Sequence, residues 1–321
     1  MIMKQISVVV PCYNEQENIL LFYQTVTKIF RQLPEGFTYE LLYIDDGSAD
    51  RTLEQIRTLA RQHKEVKYVS FSRNFGKEAA LYAGLENAAG DYVAVMDVDL
   101  QDPPELLLDM LQTLETGEYA CCAARRIDRK GEGIIRSFFS RMFYRVIRGI
   151  SKTSIPDGAR DFRMMTRTFV DQLLRLKEYN RFSKGLFEWV GFPVKWLEYE
   201  NRQRQAGSTK FSFWKLLVYS VDGILSFSNL PAILSGVFGI FFCLIAFFFL
   251  IVIFVRALWF GDPVAGWPST ICIILLISGI QLFFLGLLGA YLAKVYAEVK
   301  QRPIYLCKET NIKQECEELK S

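Results

Sequence analysis

Two long segments without a charged residue lie in the last third of the chain. They run from 230 to 255 and from 269 to 293, which makes 26 and 25 residues. About 20 apolar residues are enough to cross the hydrocarbon core of a bilayer. The sequence therefore predicts two transmembrane helices, and their short connector predicts a hairpin with both ends on one side of the membrane.

Basic residues flank this predicted hairpin but are almost absent from its connector. The connector 256–268 contains Arg256 alone, whereas the flanks contain Arg202, Arg204, Lys210, Lys215, Lys294, Lys300, Arg302 and Lys308. Loops rich in lysine and arginine stay in the cytoplasm. We therefore expect a multi-pass protein of the inner (plasma) membrane with both termini in the cytoplasm. The apolar run 6–10 is too short for a signal peptide.

Composition argues against three other kinds of protein. The net charge of +3 is small, and the basic residues cluster near the predicted membrane segments, so we expect no nucleic-acid partner. The seven cysteines are scattered, and no two have the Cys-x-x-Cys spacing. This favours reduced thiols over a disulfide framework or a structural zinc site.

Apolar runs alternate with helix-like segments up to about residue 125. The predicted strands are 6–10, 41–44, 66–71, 92–96 and 119–124, and the predicted helices are 15–31, 50–62, 77–88 and 104–116. This alternation is typical of a parallel sheet with helical crossovers. The predicted fold class is therefore α/β with a mainly parallel sheet, followed by the two transmembrane helices.

The segment 97–105 reads DVDLQDPPE and follows a run typical of a buried central strand. Side chains alternate along a strand, so we expect Asp97 and Asp99 on the same side, at the sheet edge where α/β proteins bind ligands. Two neighbouring carboxylates favour a cation between them, and oxygen ligands suit Mg²⁺ or Mn²⁺. The alternative is a solvated pair of carboxylates at a strand end.

Polar residues also follow the other predicted strands. They form the segments PCYNE (11–15), DDGS (45–48) and SRNFGK (72–77), and the pair Arg125 and Arg126. Loops at one edge of a parallel sheet can together form a site large enough for a nucleotide. The fingerprints G-x-G-x-x-G and G-x-x-x-x-G-K-[ST] are absent, so neither a dinucleotide fold nor a P-loop is indicated.

These segments closely resemble family 2 glycosyltransferases with the GT-A fold, in particular the polyisoprenyl-phosphate glycosyltransferases such as the bactoprenol glucosyltransferases and dolichyl-phosphate mannose synthases. RDF (160–162), RQRQAGSTKF (202–211) and the two apolar segments extend the resemblance over nearly the whole chain. The resemblance implies a cytoplasmic nucleotide-sugar-binding catalytic domain over 1–210 and an interfacial amphipathic helix over 211–229. It further implies a transmembrane hairpin over 230–296 and a cytoplasmic tail over 297–321.

The resemblance also implies a role for each matching residue. The uracil and ribose of a UDP-sugar would be surrounded by Pro11, Tyr13, Glu15, Asp45 and Asp46. The nucleotide or sugar would further be lined by Arg73 and Lys77. The ion, Mg²⁺ or Mn²⁺, would be held against the diphosphate by Asp97, Asp99 and Gln101, with Asp99 essential to catalysis. The position usually assigned to the catalytic base is occupied by Asp161.

One departure concerns this last position. Bactoprenol members of the family usually have Gly-Asp-Phe, whereas this chain has Arg160 before Asp161. A cation beside a carboxylate lowers its pKa and weakens it as a base. A lipid phosphate, however, has a second pKa of about 6 and is largely dianionic near neutral pH. Two roles for Asp161 therefore stay open, general base and organiser of nearby cations.

Two amphipathic segments, 136–150 and 213–227, are expected at the membrane surface. The residues expected to hold the acceptor phosphate between them are Arg202, Arg204, Ser208 and Lys210. The residues expected to neutralise the diphosphate are Arg125, Arg126 and Arg136, and Arg126 is counted among the catalytic residues. Attraction to the headgroups of membrane lipids is a competing explanation for these cations.

The predicted function is inverting transfer of a sugar, glucose in the first instance, from a UDP-sugar to polyprenyl (undecaprenyl) phosphate at the cytoplasmic leaflet. Donors such as GDP-mannose, UDP-GlcNAc or UDP-formyl-aminoarabinose are the first alternative. A non-catalytic membrane anchor for a glycan-assembly partner is the second. A processive polysaccharide synthase of the same family usually needs more membrane spans and a Gln-x-x-Arg-Trp motif, and this sequence has neither. Glycines 236, 239, 286 and 289 would allow the close helix approach of a homo-oligomer.

Overall fold

The computed structural model describes residues 3–127, 158–200 and 267–312, with scattered helical positions between 237 and 259. The chain divides into two compact units. The first combines Met1–Leu217 with Arg302–Ser321, and the second is Val218–Gln301. The predicted amphipathic segments 136–150 and 213–227 lie outside the described residues. The same holds for five predicted site residues: Arg136, Arg202, Arg204, Ser208 and Lys210.

Strands and helices alternate through the first unit, as predicted. The strands are β1 (Lys4–Cys12), β2 (Phe37–Asp45), β3 (Val66–Phe71), β4 (Tyr92–Val95), β5 (Cys121–Arg126), β6 (Ala159–Thr166), β7 (Val194–Tyr199) and β8 (Cys307–Thr310). The helices are α1 (Ile19–Phe30), α2 (Thr52–Gln62), α3 (Lys77–Asn87), α4 (Leu106–Glu115), α5 (Arg167–Leu174) and α6 (Ser183–Trp189).

The strands form one eight-stranded sheet in the order β7-β5-β6-β4-β1-β2-β3-β8. The four adjacent strands β4, β1, β2 and β3 are parallel to one another, and β5 is parallel to β7. Two strands run antiparallel: β6 lies between β4 and β5, and β8 is added to the edge beside β3. The α/β class with a mainly parallel sheet is thus confirmed, and the insertion of β6 brings residue 161 beside the end of β4.

Helices cover both faces of the sheet, which explains why the central strands are apolar on both sides. Val8 and Val10 of β1 belong to the core shared with α1, α2 and α4. Val9 points to the other face, against α3. A Cβ added at Gly84 would lie 2.0 Å from Val9 Cγ1, so only glycine allows α3 to pack this closely on β1. This packing fixes the position of α3, whose first residue is Lys77.

The second unit contains α7 (Trp267–Val299), a helix of 33 residues. Its part Ile277–Val299 is long and apolar enough to cross a membrane. It is the only such helix among the described residues. The predicted first span, 230–255, lies largely outside them, so a two-helix hairpin stays a prediction.

Candidate active site

The loops that follow β1 and β2 are joined by hydrogen bonds at the carboxyl edge of the sheet. The backbone N–H of Asp46 donates to Cys12 O over 2.9 Å, and that of Asn14 donates to Ser48 Oγ over 2.9 Å. Asn14 has a φ of 53°, a left-handed conformation that asparagine tolerates well. Tyr13 beside it is 41% exposed. Its ring is therefore accessible as a stacking surface for a planar ligand.

Pro11, near the end of β1, and Glu15, in the loop that follows, are both half-buried. The side-chain amide of Asn18 donates to Glu15 Oε2 over 2.7 Å. The backbone N–H of Glu15 donates to Thr52 Oγ1 over 2.9 Å. These hydrogen bonds connect the start of α1 to the start of α2. They hold Glu15 at the carboxyl edge of the sheet, where the sequence predicts a site large enough for a nucleotide.

Asp45 and Asp46 are both buried, at 1% and 3% exposure, and both carboxylates accept hydrogen bonds from the protein. Asp45 accepts from Ser48 N–H over 3.1 Å and from Ser70 Oγ over 2.7 Å. Asp46 accepts from the backbone N–H groups of Phe75 over 2.6 Å and Gly76 over 3.0 Å. Burial raises the pKa of Asp46 above its ordinary value, although these two backbone N–H groups oppose the shift. Asp46 therefore holds the loop 72–77 in place.

Lys77 joins two carboxylates, one from the turn after β4 and one from β6. Its Nζ lies 2.8 Å from Asp97 Oδ1 and 2.7 Å from Asp161 Oδ2. Burial alone would lower the pKa of Lys77, but the Asp161 and Asp97 carboxylates outweigh it and raise that pKa. The lysine is therefore a permanent cation between two anions.

Asp161 is ionised for the same reason. Burial would raise the pKa of Asp161, but the charges of Lys77, Lys184 and Arg163 hold it well below the ordinary value. Arg160 is not among these cations. Its side chain contacts Asp102 and Gln101 instead, since neighbouring residues of β6 point to opposite faces of the sheet. A cation was expected to lower the pKa of Asp161 and weaken it as a base. The cations that do so are Lys77, Lys184 and Arg163, rather than Arg160, the neighbour in sequence.

The predicted metal ligands lie in a turn rather than on a strand. β4 ends at Val95, and Leu100 has a φ of 54°, so strand alternation does not determine where Asp97 and Asp99 point. Asp99 Oδ1 accepts from the backbone N–H of Gln101 over 3.2 Å. Gln101 Oε1 accepts from Arg160 Nη2 over 3.3 Å.

The donor set fits a hard divalent cation. Two carboxylates and one amide oxygen are the ligand types that Mg²⁺ and Mn²⁺ prefer. Asp97 already binds a cation, the Lys77 ammonium. Within the described residues, no three acidic, histidine or cysteine side chains converge on one point. A metal ion here would therefore need oxygen ligands from a bound molecule as well.

Arg125 and Arg126 are half-buried at the end of β5. Arg125 pairs in register with Ala159 of β6, and its Nη1 lies 3.7 Å from Glu198 Oε1. The backbone N–H of Arg126 donates to Gly158 O over 3.1 Å. Both arginines therefore lie beside β6, the strand that carries Asp161.

Three polar side chains that support this site were not predicted from the sequence: Lys184, Asp102 and Tyr199. Lys184 Nζ donates to Ala159 O over 3.3 Å, which places a second cation near Asp161. Asp102, 3% exposed, accepts from Arg160 over 3.2 Å and from the Tyr199 hydroxyl. The mostly polar segment 180–184, which precedes the apolar residues of α6, could have indicated Lys184. Nothing in the sequence around residue 199 indicated Tyr199.

A protein-family model and several known proteins match this chain. The model of glycosyl transferase family 2 matches residues 7–174, a range that includes Lys77, Asp97 and Asp161. CsbB of Bacillus subtilis (strain 168) is 44% identical over 312 residues, which is 97% of this chain and 94% of that protein. The SfII prophage-derived bactoprenol glucosyl transferase of Shigella flexneri is 40% identical over 307 residues, 96% and 98% of the two chains. The bactoprenol glucosyl transferase of Shigella phage SfV is 40% identical over 304 residues, 95% and 98% of the two chains.

Proposed function

The chain belongs to glycosyl transferase family 2 and is a glycosyltransferase. From this premise we propose that it transfers glucose from UDP-glucose to a polyprenyl phosphate. The similarity to the two bactoprenol glucosyl transferases extends over nearly the full length of both chains, which supports glucose as the sugar and a polyprenol carrier as the acceptor. The structural observation that carries the proposal is the Lys77 ammonium between Asp97 and Asp161 at the carboxyl edge of the sheet.

The donor would bind across the ends of β1 to β4. Tyr13 offers its exposed ring to the uracil, and Asp46 holds the loop that presents Arg73 and Lys77. Asp97, Asp99 and Gln101 would hold Mg²⁺ or Mn²⁺. When bound, the ion would neutralise the charge of the diphosphate as it leaves. Arg125 and Arg126, at the end of β5 beside the strand that carries Asp161, would contribute further positive charge to the diphosphate.

Asp161 serves as an organiser of cations in this mechanism. Its depressed pKa leaves it a weak proton acceptor, while it holds Lys77 directly and Lys184 lies nearby. The acceptor phosphate is already largely dianionic near neutral pH, so it needs orientation and charge compensation more than deprotonation. The phosphate oxygen forms a bond to the anomeric carbon, the bond from that carbon to the UDP oxygen breaks, and UDP leaves with the electron pair.

The connection between β8 and β3 supports two membrane crossings. Residues after α7 belong to the same compact unit as residues before 218, so the chain returns to the side from which it left. Such a return requires an even number of crossings. Since Ile277–Val299 is suited to one crossing, the apolar segment 230–255 would supply the other. The distribution of basic residues would place the catalytic unit in the cytoplasm.

The sugar is tested with the purified full-length protein in detergent. Undecaprenyl phosphate is incubated with radiolabelled UDP-glucose, UDP-GlcNAc, GDP-mannose or UDP-formyl-aminoarabinose, each with Mn²⁺ and with EDTA. We expect a labelled lipid from UDP-glucose only, and only with the metal. A lipid product from another donor alone would refute glucose as the sugar. No product from any donor, together with no binding of UDP, would instead favour the non-catalytic anchor.

A further inference from the structure

We propose that Tyr305, in the segment that follows the membrane helix, is a positioning residue for the donor-binding loop 72–77. This role rests on the proposed function, because that function assigns the UDP-sugar to the loop. The segment 302–312 is close to the C-terminus and was expected to be a simple cytoplasmic tail. It instead contributes a strand and two sets of side-chain contacts to the catalytic unit.

The first set of contacts anchors the tail to α2 and to the first half of β3. Arg57 forms a two-pronged ion pair with Glu309, and the Tyr68 hydroxyl donates to Glu309 Oε1 over 3.1 Å. The side chain of Asn311 accepts from Tyr68 N–H over 2.8 Å and donates to Val66 O over 3.0 Å. These contacts account for the attachment of β8 without any help from Tyr305.

The second set lies at the other end of β3, where the donor loop begins. The Tyr305 ring stacks on Phe71 with 4.8 Å between centroids and 25° between planes. Its hydroxyl donates to Glu86 Oε2 over 2.9 Å and accepts from Asn87 Nδ2 over 3.1 Å. Since Glu86 and Asn87 end α3, Tyr305 joins the strand before the loop to the helix after it.

A chain of contacts leads from Phe71 to the loop itself. The rings of Phe71 and Phe75 meet edge to face at 5.8 Å, and the Arg73 guanidinium lies 3.9 Å from the centre of the Phe75 ring. The backbone N–H of Phe75 donates to Asp46. The following residue, Gly76, has a φ of 99° and leads directly into Lys77. Any shift of Phe71 and Phe75 would therefore alter where Arg73 and Lys77 point.

The experiment separates positioning from attachment by comparing two variants of the full-length protein in detergent. Tyr305→Ala removes the support of the loop, and Glu309→Gln is the matched control that weakens the anchor formed with Arg57 and Tyr68. Tyr305→Phe keeps the ring stacked on Phe71. UDP affinity is measured by calorimetry with Mg²⁺, alongside the KM for donor, the KM for undecaprenyl phosphate and the melting temperature.

We expect Tyr305→Ala to raise both the Kd for UDP and the KM for the donor about tenfold, because small displacements of binding groups are costly. The KM for the lipid should stay within twofold, and Tyr305→Phe should restore most of the affinity. Glu309→Gln should lower the melting temperature and leave UDP binding unchanged. Unchanged UDP binding by Tyr305→Ala, or equal losses in Tyr305→Ala and Glu309→Gln, would refute the positioning role. Absence of UDP binding by the unaltered protein would refute the proposed function, and the positioning role with it.

Discussion

Lys77 Nζ lies 2.7 Å from Asp161 Oδ2, so the first residue of α3 is bound to the antiparallel strand that enters the sheet between β4 and β5. The same nitrogen lies 2.8 Å from Asp97. One ammonium group thereby connects the expected position of the metal with the residue at the usual position of the base. This relationship accounts for the proposed role of Asp161.

Replacement of Lys77 should abolish most of the activity. In Lys77→Met, Asp97 and Asp161 lose the cation between them, and the donor loses a positive charge that is already in position. Removing one preorganised electrostatic contact commonly costs about 10²–10³ in kcat. We expect a loss of this size in lipid glucosylation, while Lys77→Arg keeps measurable activity. Activity of Lys77→Met within threefold of the unaltered protein would contradict the role given to this cation.

The pH dependence of the reaction should not report on Asp161. Although burial opposes it, the surrounding cations hold the pKa of Asp161 well below the ordinary value of about 4. The stabilisation linked to this shift is present above that ordinary value and is lost as the pH falls through the lowered folded pKa. Asp161 therefore stays charged throughout the neutral range.

We expect the rate to fall on the acid side only as the acceptor phosphate gains its second proton, at about pH 6. Asp161→Asn should lower kcat/KM at every pH without moving this limb of the profile. The measurement is the pH profile of kcat/KM for both proteins. Loss of the acid limb in Asp161→Asn would show that Asp161 is the titrating base after all.

Arg160 should influence the metal rather than Asp161. It contacts Gln101 and the buried Asp102, so Arg160→Gly leaves both without this donor. Groups that orient metal ligands typically change metal affinity about 10–100-fold when they are removed. We expect a higher Mn²⁺ concentration for half-maximal activity and an unchanged acid limb, with Arg160→Lys as the partial rescue. An unchanged Mn²⁺ requirement would contradict this assignment.

The close packing of α3 on β1 should make Gly84 intolerant of a side chain. An added Cβ would lie 2.0 Å from Val9 Cγ1, and overpacking of a core typically costs about 1–3 kcal/mol of unfolding free energy. Thermal unfolding of Gly84→Ala measures this loss. Val9→Ala removes the clashing atom, so the double variant should be more stable than the sum of the two single effects predicts. Strict additivity would contradict the contact.

Much of the fold could be predicted because the central parts of β1, β2, β4 and β5 are buried on both faces and therefore appear as apolar runs. β6 could not be predicted in this way. Its sequence, ARDFRMMT, contains three charged residues, because it carries Asp161 into the site and its Arg163 is buried against the Phe187 ring. β8 is a short edge strand without an apolar pattern, so only its pairing with β3 reveals it.

The site was predicted as a set of residues but not as a set of contacts. The family resemblance named Lys77, Asp97 and Asp161, yet the ion pair between Lys77 and Asp161 depends on the insertion of β6, which no sequence pattern indicated. Sequence adjacency was misleading at Arg160, since strand geometry sends neighbouring side chains to opposite faces. The contribution of Tyr305 was invisible for a related reason, because its partners lie more than 200 residues away in the chain.

The most direct test of the central claim is glucosyl transfer by the purified full-length protein and its Asp97→Asn variant. Both are incubated with radiolabelled UDP-glucose, Mn²⁺ and undecaprenyl phosphate, and the label extracted into organic solvent is counted. We predict a labelled lipid with the unaltered protein and essentially none with Asp97→Asn, at matched melting temperatures. The absence of labelled lipid from a protein that binds UDP, or equal amounts from both proteins, would contradict the account.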